Sequence, residues 1–167
     1  LVLTTQELAN MIWEAGIDFA NLEPEAHDMP FGMYSGAGII FGVTGGVTEA
    51  VIRKLVEKKD SLTLTNISYC GVRGLDGVKA FEIPYGDRIL KIAIANGLKN
   101  ADDLIQKIKS REEYFDFVEI MACPTGCIGG GGQPQSSTET KGKRAKGLYL
   151  TDKTSKIRTS DLNPVMG

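Results

Sequence analysis

The sequence predicts an α/β fold in which a mixed β-sheet is flanked by helices. Strand-like segments rich in β-branched and aromatic residues alternate with segments whose apolar residues recur every three or four positions. One strand-like segment, residues 114–121, runs directly into a loop that carries two cysteines and four consecutive glycines. Open α/β sheets usually bind ligands at the carboxyl ends of their strands, so this loop is the leading candidate for a functional site.

Length and composition predict one domain over residues 1–167. A chain of 167 residues can bury about 70% of the surface that it exposes when unfolded. Hydrophobic residues make up 42% of the chain, charged residues 24%, and the net charge is −2. This is the composition of an ordinary globular protein, without the basic excess that indicates a nucleic-acid partner. No apolar run approaches the ~20 residues that a membrane-spanning helix needs.

Cysteine usage indicates the cellular compartment. The chain has three cysteines, an odd number without the spacing of a disulfide framework, which is typical of a reducing environment. We therefore expect a cytoplasmic location. The chain begins at Leu1 in the middle of a pattern, and if it is a fragment, a targeting segment would lie outside it.

The first helix is predicted from a capping box. Thr4 and Glu7 have the spacing of this motif, and apolar residues follow at helical intervals, so we expect an amphipathic helix over residues 4–15. Residues 23–30 are polar and contain two prolines, which favours a surface loop. We expect His27, within this loop, to be a solvated side chain.

Residues 31–46 contain six glycines and precede a helical pattern over residues 47–57. Glycines at this density suggest a loop that lies close to a ligand or to another backbone, with a helix N-terminus that favours anions behind it. A nucleotide-phosphate site is one interpretation, but neither a P-loop motif nor a dinucleotide fingerprint after a strand is present. The residues alone leave a cofactor-facing loop and plain tight packing equally open.

Three strands are expected in the middle of the chain. Residues 62–69 alternate and are rich in β-formers, and we expect Cys70 at their end to be a packed or partly exposed thiol. Residues 77–83 and 88–95 read as two further strands joined by a turn at residues 84–87, the second being the more buried.

A helix and a final strand complete the predicted sheet. Asn100, with Asp103 three residues later, is predicted to cap a helix that ends in the charged residues 109–113. Residues 114–121 form the strand that leads to the cysteine loop. Glu119 within it is either an edge carboxylate in a salt bridge or a functional group. In the second case it tunes a proton pathway, or it orients the cysteine loop by accepting the N–H groups of that loop.

The C-terminal part is predicted to be a helix followed by a tail. The helix is expected to begin within residues 141–146, whose basic side chains would form a solvated face. Leu148, Tyr149 and Leu150 are expected to lie together on one side of it. Residues 157–167 read as a tail.

The chemistry of the chain concentrates in the cysteine loop. Cys123 and Cys127 are separated by three residues and can turn both sulfurs toward one side of a tight loop. Glycines 129–132 have no Cβ, so the backbone can approach a bulky ligand and direct several N–H groups at it. Sulfide-rich or anionic ligands suit such a surface.

Three metal or redox interpretations compete at this loop. Zinc usually takes four Cys or His ligands, whereas the chain has three cysteines and one histidine in all. A dithiol redox pair usually has two intervening residues and does not explain the glycines. An iron-sulfur cluster fits best, although a cubane cluster takes about four thiolates and the loop supplies two.

The cysteine loop and four other segments resemble one known family. Residues 119–134, EIMACPTGCIGGGGQP, resemble the last of the three signature motifs of the iron-iron (iron-only) hydrogenase large subunit. Residues 31–50, 72–78, 143–149 and 152–158 are similar to other parts of the same family, in the same order. The resemblance therefore runs through nearly the whole chain.

The resemblance implies a role for each residue of the site. Cys123 and Cys127 would ligate the cubane half of the H-cluster, and Cys127 would bridge to its two-iron half. Met121 and Phe41 would shield the two-iron half. The glycines expected to face the cofactor are Gly36, Gly38, Gly129, Gly130 and Gly131.

The resemblance also implies the activity and its partners. The chain would be the C-terminal lobe of a domain that reduces protons reversibly to hydrogen, with ferredoxin or a similar electron donor. Two earlier motifs with the other cluster cysteines are absent, so a missing N-terminal lobe or a second chain would supply them. The isolated chain is therefore expected to bind no stable H-cluster and to evolve no hydrogen. A non-catalytic iron-sulfur relative, acting in cluster assembly or as a sensor, and a natural docking subunit are the alternatives.

Overall fold

The computed structural model of the chain describes residues 1–26, 28, 33–56, 72–75 and 77–166. Three sequence-based predictions, the solvated His27, the strand at residues 62–69 and the thiol of Cys70, lie outside the described residues.

The described residues form five helices and three strands. In order they are α1 (Thr5–Glu14), α2 (Gly36–Ile39), α3 (Gly46–Val56), β1 (Val78–Tyr85), β2 (Arg88–Asn96), α4 (Leu98–Lys109), β3 (Phe117–Met121) and α5 (Thr138–Thr154). Short 3-10 turns cover Phe19–Asn21, Ile40–Gly42, Cys127–Gly129, Ser160–Leu162 and Pro164–Met166. None of the described helices is long and apolar enough to cross a membrane.

The described strands form a mixed sheet in the order β1-β2-β3, which confirms the predicted fold class. The first two strands are antiparallel and meet at a two-residue turn, because Tyr85 pairs with Arg88. The third strand lies parallel to the second, and their register places Asn96 opposite Met121. The carboxyl ends of β2 and β3 therefore lie side by side, and the cysteine loop follows directly from this edge.

The central strand β2 is buried on both faces. Successive side chains of a strand point to opposite faces of the sheet. Ile92 and Ile94 pack on one face with Ile52 of α3, whereas Ala93 and Ala95 pack on the other face with Leu104 of α4. This arrangement explains why the sequence of the strand is apolar without a polar alternation.

The predicted capping box of α1 is confirmed. The Glu7 carboxylate accepts the backbone N–H of Thr4 at 2.7 Å, and the Thr4 hydroxyl accepts the N–H of Glu7 at 3.2 Å. The helix ends at Glu14, close to the predicted end.

Two predicted helix starts and one predicted loop are wrong. Helix α4 begins at Leu98 with Gly97 as its N-cap residue, because Asn100 instead uses its amide to donate to the carbonyl of Asn96 at 2.7 Å. Helix α5 begins at Thr138, capped by the Ser137 hydroxyl, three residues before the predicted entry. The glycine-rich segment before α3 is largely helical rather than a loop, since it forms α2 and the 3-10 turn after it.

A buried ion cluster joins α3 to the end of α5. Arg53 contacts Glu49 at 2.6 Å and Asp152 at 2.7 Å, and both carboxylates are almost fully buried. Arg73 adds a second contact to Glu49 at 2.7 Å, and Arg158 adds one to Asp152 at 3.1 Å. Buried charges persist only when they are paired in this way.

The surrounding arginines lower the pKa of both carboxylates. Burial alone would raise the pKa of Glu49 and of Asp152, but hydrogen bonds and charges from the surrounding arginines outweigh it and hold each pKa below its usual value. The folded state therefore binds fewer protons than the unfolded state at acid pH. The stabilisation by the cluster is complete above the ordinary carboxyl pKa of about 4 and is lost as the pH falls through the lowered values.

We expect Asp152→Asn to lower the free energy of unfolding at pH 7 by about 3–5 kcal/mol, because it removes one of the two carboxylates that compensate the buried charge of Arg53. The matched control is Asp161→Asn, which removes a carboxylate that pairs with Lys54 at the exposed surface. The control should cost less than about 1 kcal/mol. Urea unfolding at pH 7 and pH 3 measures both, and Asp152→Asn should also reduce the loss of stability between these pH values. Equal costs for the two substitutions would contradict the role of the cluster.

Candidate functional site

The cysteine loop is a pair of consecutive tight turns at the end of β3. The first turn closes with a hydrogen bond from the Gly126 N–H to the Cys123 carbonyl at 3.1 Å, and the second with one from the Gly130 N–H to the Cys127 carbonyl at 3.0 Å. Both thiols are free, with Cys123 half-buried and Cys127 exposed. The loop thus presents two reduced sulfurs at the carboxyl edge of the sheet, where the sequence predicted them.

Gly126 allows the loop to press against the backbone before α3. Its φ is +84°, a conformation that favours glycine. A Cβ at this position would lie 2.7 Å from the Thr44 nitrogen and 3.0 Å from both the Gly42 oxygen and the Met121 sulfur. Any other residue would therefore push the cysteine loop away from the segment that carries Phe41.

Asn96 links the same two segments from the end of β2. Its side-chain oxygen accepts the N–H of Thr125 at 3.1 Å, and its amide nitrogen donates to the Thr44 hydroxyl at 3.2 Å. Thr125 has a φ of +70°, which is costly for a threonine unless its surroundings hold it there. Sequence reasoning missed Asn96, although a polar residue directly after an apolar strand and before a glycine was an available signal.

Glu119 is the buried carboxylate of the site and is only 5% exposed. It accepts the N–H of Gly45 at 2.7 Å, the N–H of Thr48 at 2.7 Å and the hydroxyl of Thr48 at 2.6 Å. A negative charge at the first turn of α3 is also favoured by the helix dipole. Of the predicted roles, acceptance of N–H groups is observed, but these N–H groups belong to the start of α3 and not to the cysteine loop. The predicted role in a proton pathway stays a prediction.

The glycine run borders an open cavity of about 600 Å³. A Cβ on Gly130 would lie 3.5 Å from the Cys123 sulfur, whereas one on Gly131 would meet nothing within 4 Å. Arg144 of α5 fixes the run by donating to the carbonyls of Ile128 at 2.8 Å and Pro134 at 3.0 Å. The backbone beside the sulfurs is therefore held in place, and the space over it is open.

The two predicted shielding residues border the cysteine loop. Met121 is half-buried with its sulfur against Gly126. Phe41 is partly exposed in the 3-10 turn Ile40–Gly42, and this turn packs on the 3-10 turn Cys127–Gly129. Met121 therefore lies against the cysteine loop and Phe41 lies in a turn that packs on it, and shielding of a bound group by either side chain stays a prediction.

The glycines predicted to face a cofactor lie in two different places in the structure. Gly129, Gly130 and Gly131 line the cavity next to the cysteine loop. By contrast, Gly36 lies against the carboxylate of Asp152, so that a Cβ there would overlap the buried ion cluster. Gly38 lies beside it and donates its N–H to the Ser35 hydroxyl at 3.3 Å. The structure thus gives Gly36 a packing role, and a cofactor contact for Gly36 or Gly38 stays a prediction.

The residues of the loop suit half of an iron-sulfur site. Thiolates are the usual ligands of such clusters, and glycine backbone beside a sulfur leaves room for inorganic sulfide. The Ser136 hydroxyl, which lines the same cavity, is buried without a hydrogen-bond partner among the described residues. No group of three or more His, Cys, Asp and Glu side chains in the described part of the chain could hold a metal ion.

Comparisons of the sequence and of the structure with known proteins indicate the same family. Residues 1–131 match the family described as the iron only hydrogenase large subunit, C-terminal domain. The chain is 45% identical over 166 residues to the NADP-reducing hydrogenase subunit HndD of Solidesulfovibrio fructosivorans, covering 98% of this chain and 28% of the relative. It superposes on a variant of the [FeFe]-hydrogenase HydA1 from Chlamydomonas reinhardtii with a TM-score of 0.64 and 35% identity, covering 99% of this chain and 49% of that one.

A second group of relatives is more distant. Protein NAR1 of Arabidopsis thaliana is 30% identical over 161 residues, covering 92% of this chain and 34% of the relative. The chain thus spans about half or less of the length of these three proteins.

We expect Gly126→Ala to lower the free energy of unfolding by about 2–4 kcal/mol, because the residue has a positive φ and its new methyl group would contact three atoms too closely. Gly142→Ala is the control, since this glycine lies within α5 with open space around it, and it should stabilise the chain by about 0.5–1 kcal/mol. Urea unfolding followed by circular dichroism measures both. A Gly126→Ala variant as stable as the original chain would contradict the tight packing of the loop.

Proposed function

The chain belongs to the iron-only hydrogenase large-subunit family, in its C-terminal domain, and on this premise we propose that it forms one half of the H-cluster site of an iron-iron hydrogenase. The proposed reaction is the reversible reduction of protons to molecular hydrogen, with ferredoxin or a similar protein as electron donor. The observation that carries the proposal is the pair of free thiols on a glycine-backed double turn at the carboxyl edge of the sheet.

The two cysteines would divide the ligand roles. Half-buried Cys123 would hold the cubane half of the cluster, and exposed Cys127 would hold the cubane and bridge to the two-iron half. When bound, the two-iron half would supply the chemistry of hydrogen formation and cleavage. Glycines 129–131 would leave space for the cluster and direct backbone N–H groups at its sulfides and anionic ligands.

Apolar residues of two neighbouring segments would exclude water from the proposed cluster site. Met121 at the end of β3 and Phe41 in the adjacent 3-10 turn border the cysteine loop from different parts of the chain. Removal of water strengthens the electrostatic effect of nearby backbone dipoles on a bound anionic group. Glu119 and Asn96 would act as positioning residues, because they hold these two segments together.

The proposed site is incomplete within this chain. The sequence contains three cysteines, and the resemblance assigns two of them to a cubane that takes about four thiolates. HndD and HydA1 are both much longer than this chain. We propose that a further portion of a large subunit supplies the remaining ligands and that the chain alone evolves no hydrogen. The predicted cytoplasmic location is part of the same proposal.

A second candidate is a non-catalytic role in iron-sulfur assembly. It is favoured by the relationship to NAR1, which covers 92% of this chain, and by related proteins named as cytosolic iron-sulfur assembly components. The hydrogenase proposal is preferred because HndD is 45% identical against 30% for NAR1. The intact runs MACP at residues 121–124 and GGGGQP at residues 129–134 favour it further.

We expect this chain to support hydrogen evolution when it replaces the aligned region of HndD in an otherwise intact, cluster-loaded subunit. Cys127→Ser in this chimera should lower the rate about 100-fold or more, because the bridging thiolate is lost. Cys70→Ser is the matched control and should leave the rate unchanged. The measurements are the rate of hydrogen production with a chemical reductant and the iron content of the chimera. A chimera that holds its iron but evolves no hydrogen would favour the assembly role.

A further inference from the structure

The cavity beside the cysteine loop carries positive charge that its lining does not balance. This cavity of about 600 Å³ lies between the glycine run and the start of α5. Its lining contains two basic side chains, Lys141 and Arg144, and no acidic one among the described residues. Arg144 donates to the carbonyls of Ile128 and Pro134 and not to a carboxylate. The cavity is therefore suited to an anionic group.

Lys141 is the basic side chain of this cavity that the described chain leaves without a partner. It is half-buried, and its amine forms neither an ion pair nor a hydrogen bond with any described residue. By contrast, Lys143 of the same helix pairs with Glu139 at 2.8 Å, although its side chain is 72% exposed. A cation that loses part of its hydration without gaining a counter-ion costs stability. The fold itself therefore gives no reason for this charge.

The position of Lys141 in α5 is also unfavourable for a cation. Its backbone N–H donates to the carbonyl of Ser137, the N-cap residue, at 3.1 Å, so Lys141 closes the first turn of the helix. The N-terminus of a helix carries partial positive charge and disfavours lysine there. Because local rules of this kind are broken most often at functional sites, Lys141 is a candidate for a role at the cavity.

The side chain of Lys141 lies against the glycine run beside the sulfurs. Its Cε atom is 3.3 Å from the position that a Cβ on Gly129 would take. A Cβ on the next glycine, Gly130, would lie 3.5 Å from the Cys123 sulfur. Lys141 is therefore a charged side chain close to the loop that would hold the cluster.

We propose that Lys141 stabilises the reduced form of the cubane half of the cluster and thereby raises its reduction potential. This inference rests on the proposed function, since it requires a cluster on Cys123 and Cys127. Reduction transfers one electron from the donor to the cluster and makes the site more negative by one charge. A fixed cation in a partly water-excluded site favours the more negative state, and the charge around a cluster is one determinant of its potential.

The test uses the HndD chimera described above, loaded anaerobically with its cluster. Electron paramagnetic resonance during a redox titration measures the midpoint potential, and the signal that changes in Cys127→Ser identifies this cluster among other centres. Lys141→Gln should lower the ratio of reduced to oxidised cluster at a fixed potential about threefold or more, which is about 30 mV, since tenfold corresponds to about 59 mV for one electron. Lys141→Arg keeps the charge and should change the ratio less than about 1.5-fold. Lys143→Gln is the matched control and should leave the ratio unchanged.

Urea unfolding of the chain without a cluster separates an electrostatic role from a structural one. Because Lys141 has no partner among the described residues and lies at a helix N-terminus, Lys141→Gln should leave the urea midpoint unchanged or raise it. A clearly lowered midpoint would mean that the lysine stabilises the fold and would contradict the proposal.

The outcomes of the redox titration separate this inference from the proposed function. An unchanged potential in Lys141→Gln, with the cluster present, would overturn the inference and leave the proposed function intact. An equal shift in Lys143→Gln would attribute the effect to the net charge of the surface and would also overturn the inference. A chimera without any iron-sulfur signal that depends on Cys127 would contradict the proposed function, and the inference with it.

Discussion

One buried carboxylate joins the two segments on which the candidate site is built. Glu119 lies in β3, two residues before Met121 and four before Cys123, and it accepts three short hydrogen bonds from Gly45 and Thr48. Burial of a charge is costly unless hydrogen bonds compensate for the lost water, and charge-assisted bonds of this length are among the strongest. The strand that delivers the cysteines is thus fixed to the start of α3, directly behind the turn that carries Phe41.

Two further interactions fix how the segment before α3 and the cysteine loop pack together. Asn96 bonds to both Thr44 and Thr125, and Gly126 leaves no space between the two backbones. The buried ion cluster acts at a greater distance, because it fixes α5 to α3 through Asp152, and α5 carries Arg144 to the glycine run. Each interaction joins elements far apart in sequence, so the geometry of the cysteine loop depends on the whole fold and not on its local motif.

This long-range origin explains what the sequence could and could not predict. The capping box at Thr4 and the hairpin of β1 and β2 depend on neighbouring residues, and both were predicted closely. The donors to Glu119 lie more than 70 residues away, so its partners could not be predicted from the strand alone. For Gly36 the residues alone left a cofactor contact and tight packing equally open, because the packing partner, Asp152, lies more than 100 residues away in sequence. The cap of α4 was misplaced because Asn100 lies inside the helix, where its amide donates to the carbonyl of Asn96 and does not accept an N–H group as a cap would.

Amide hydrogen exchange at Gly45 and Thr48, measured by NMR in the original chain and in Glu119→Gln, tests most directly whether this carboxylate holds the site together. Glu82→Gln, at an exposed position of β1, is the control. We expect Glu119→Gln to accelerate exchange of both amides about 10-fold or more, since a neutral amide is a weaker acceptor, while Ile94 in β2 keeps its protection. Unchanged exchange at Gly45 and Thr48 would contradict the role of Glu119 in holding the site together.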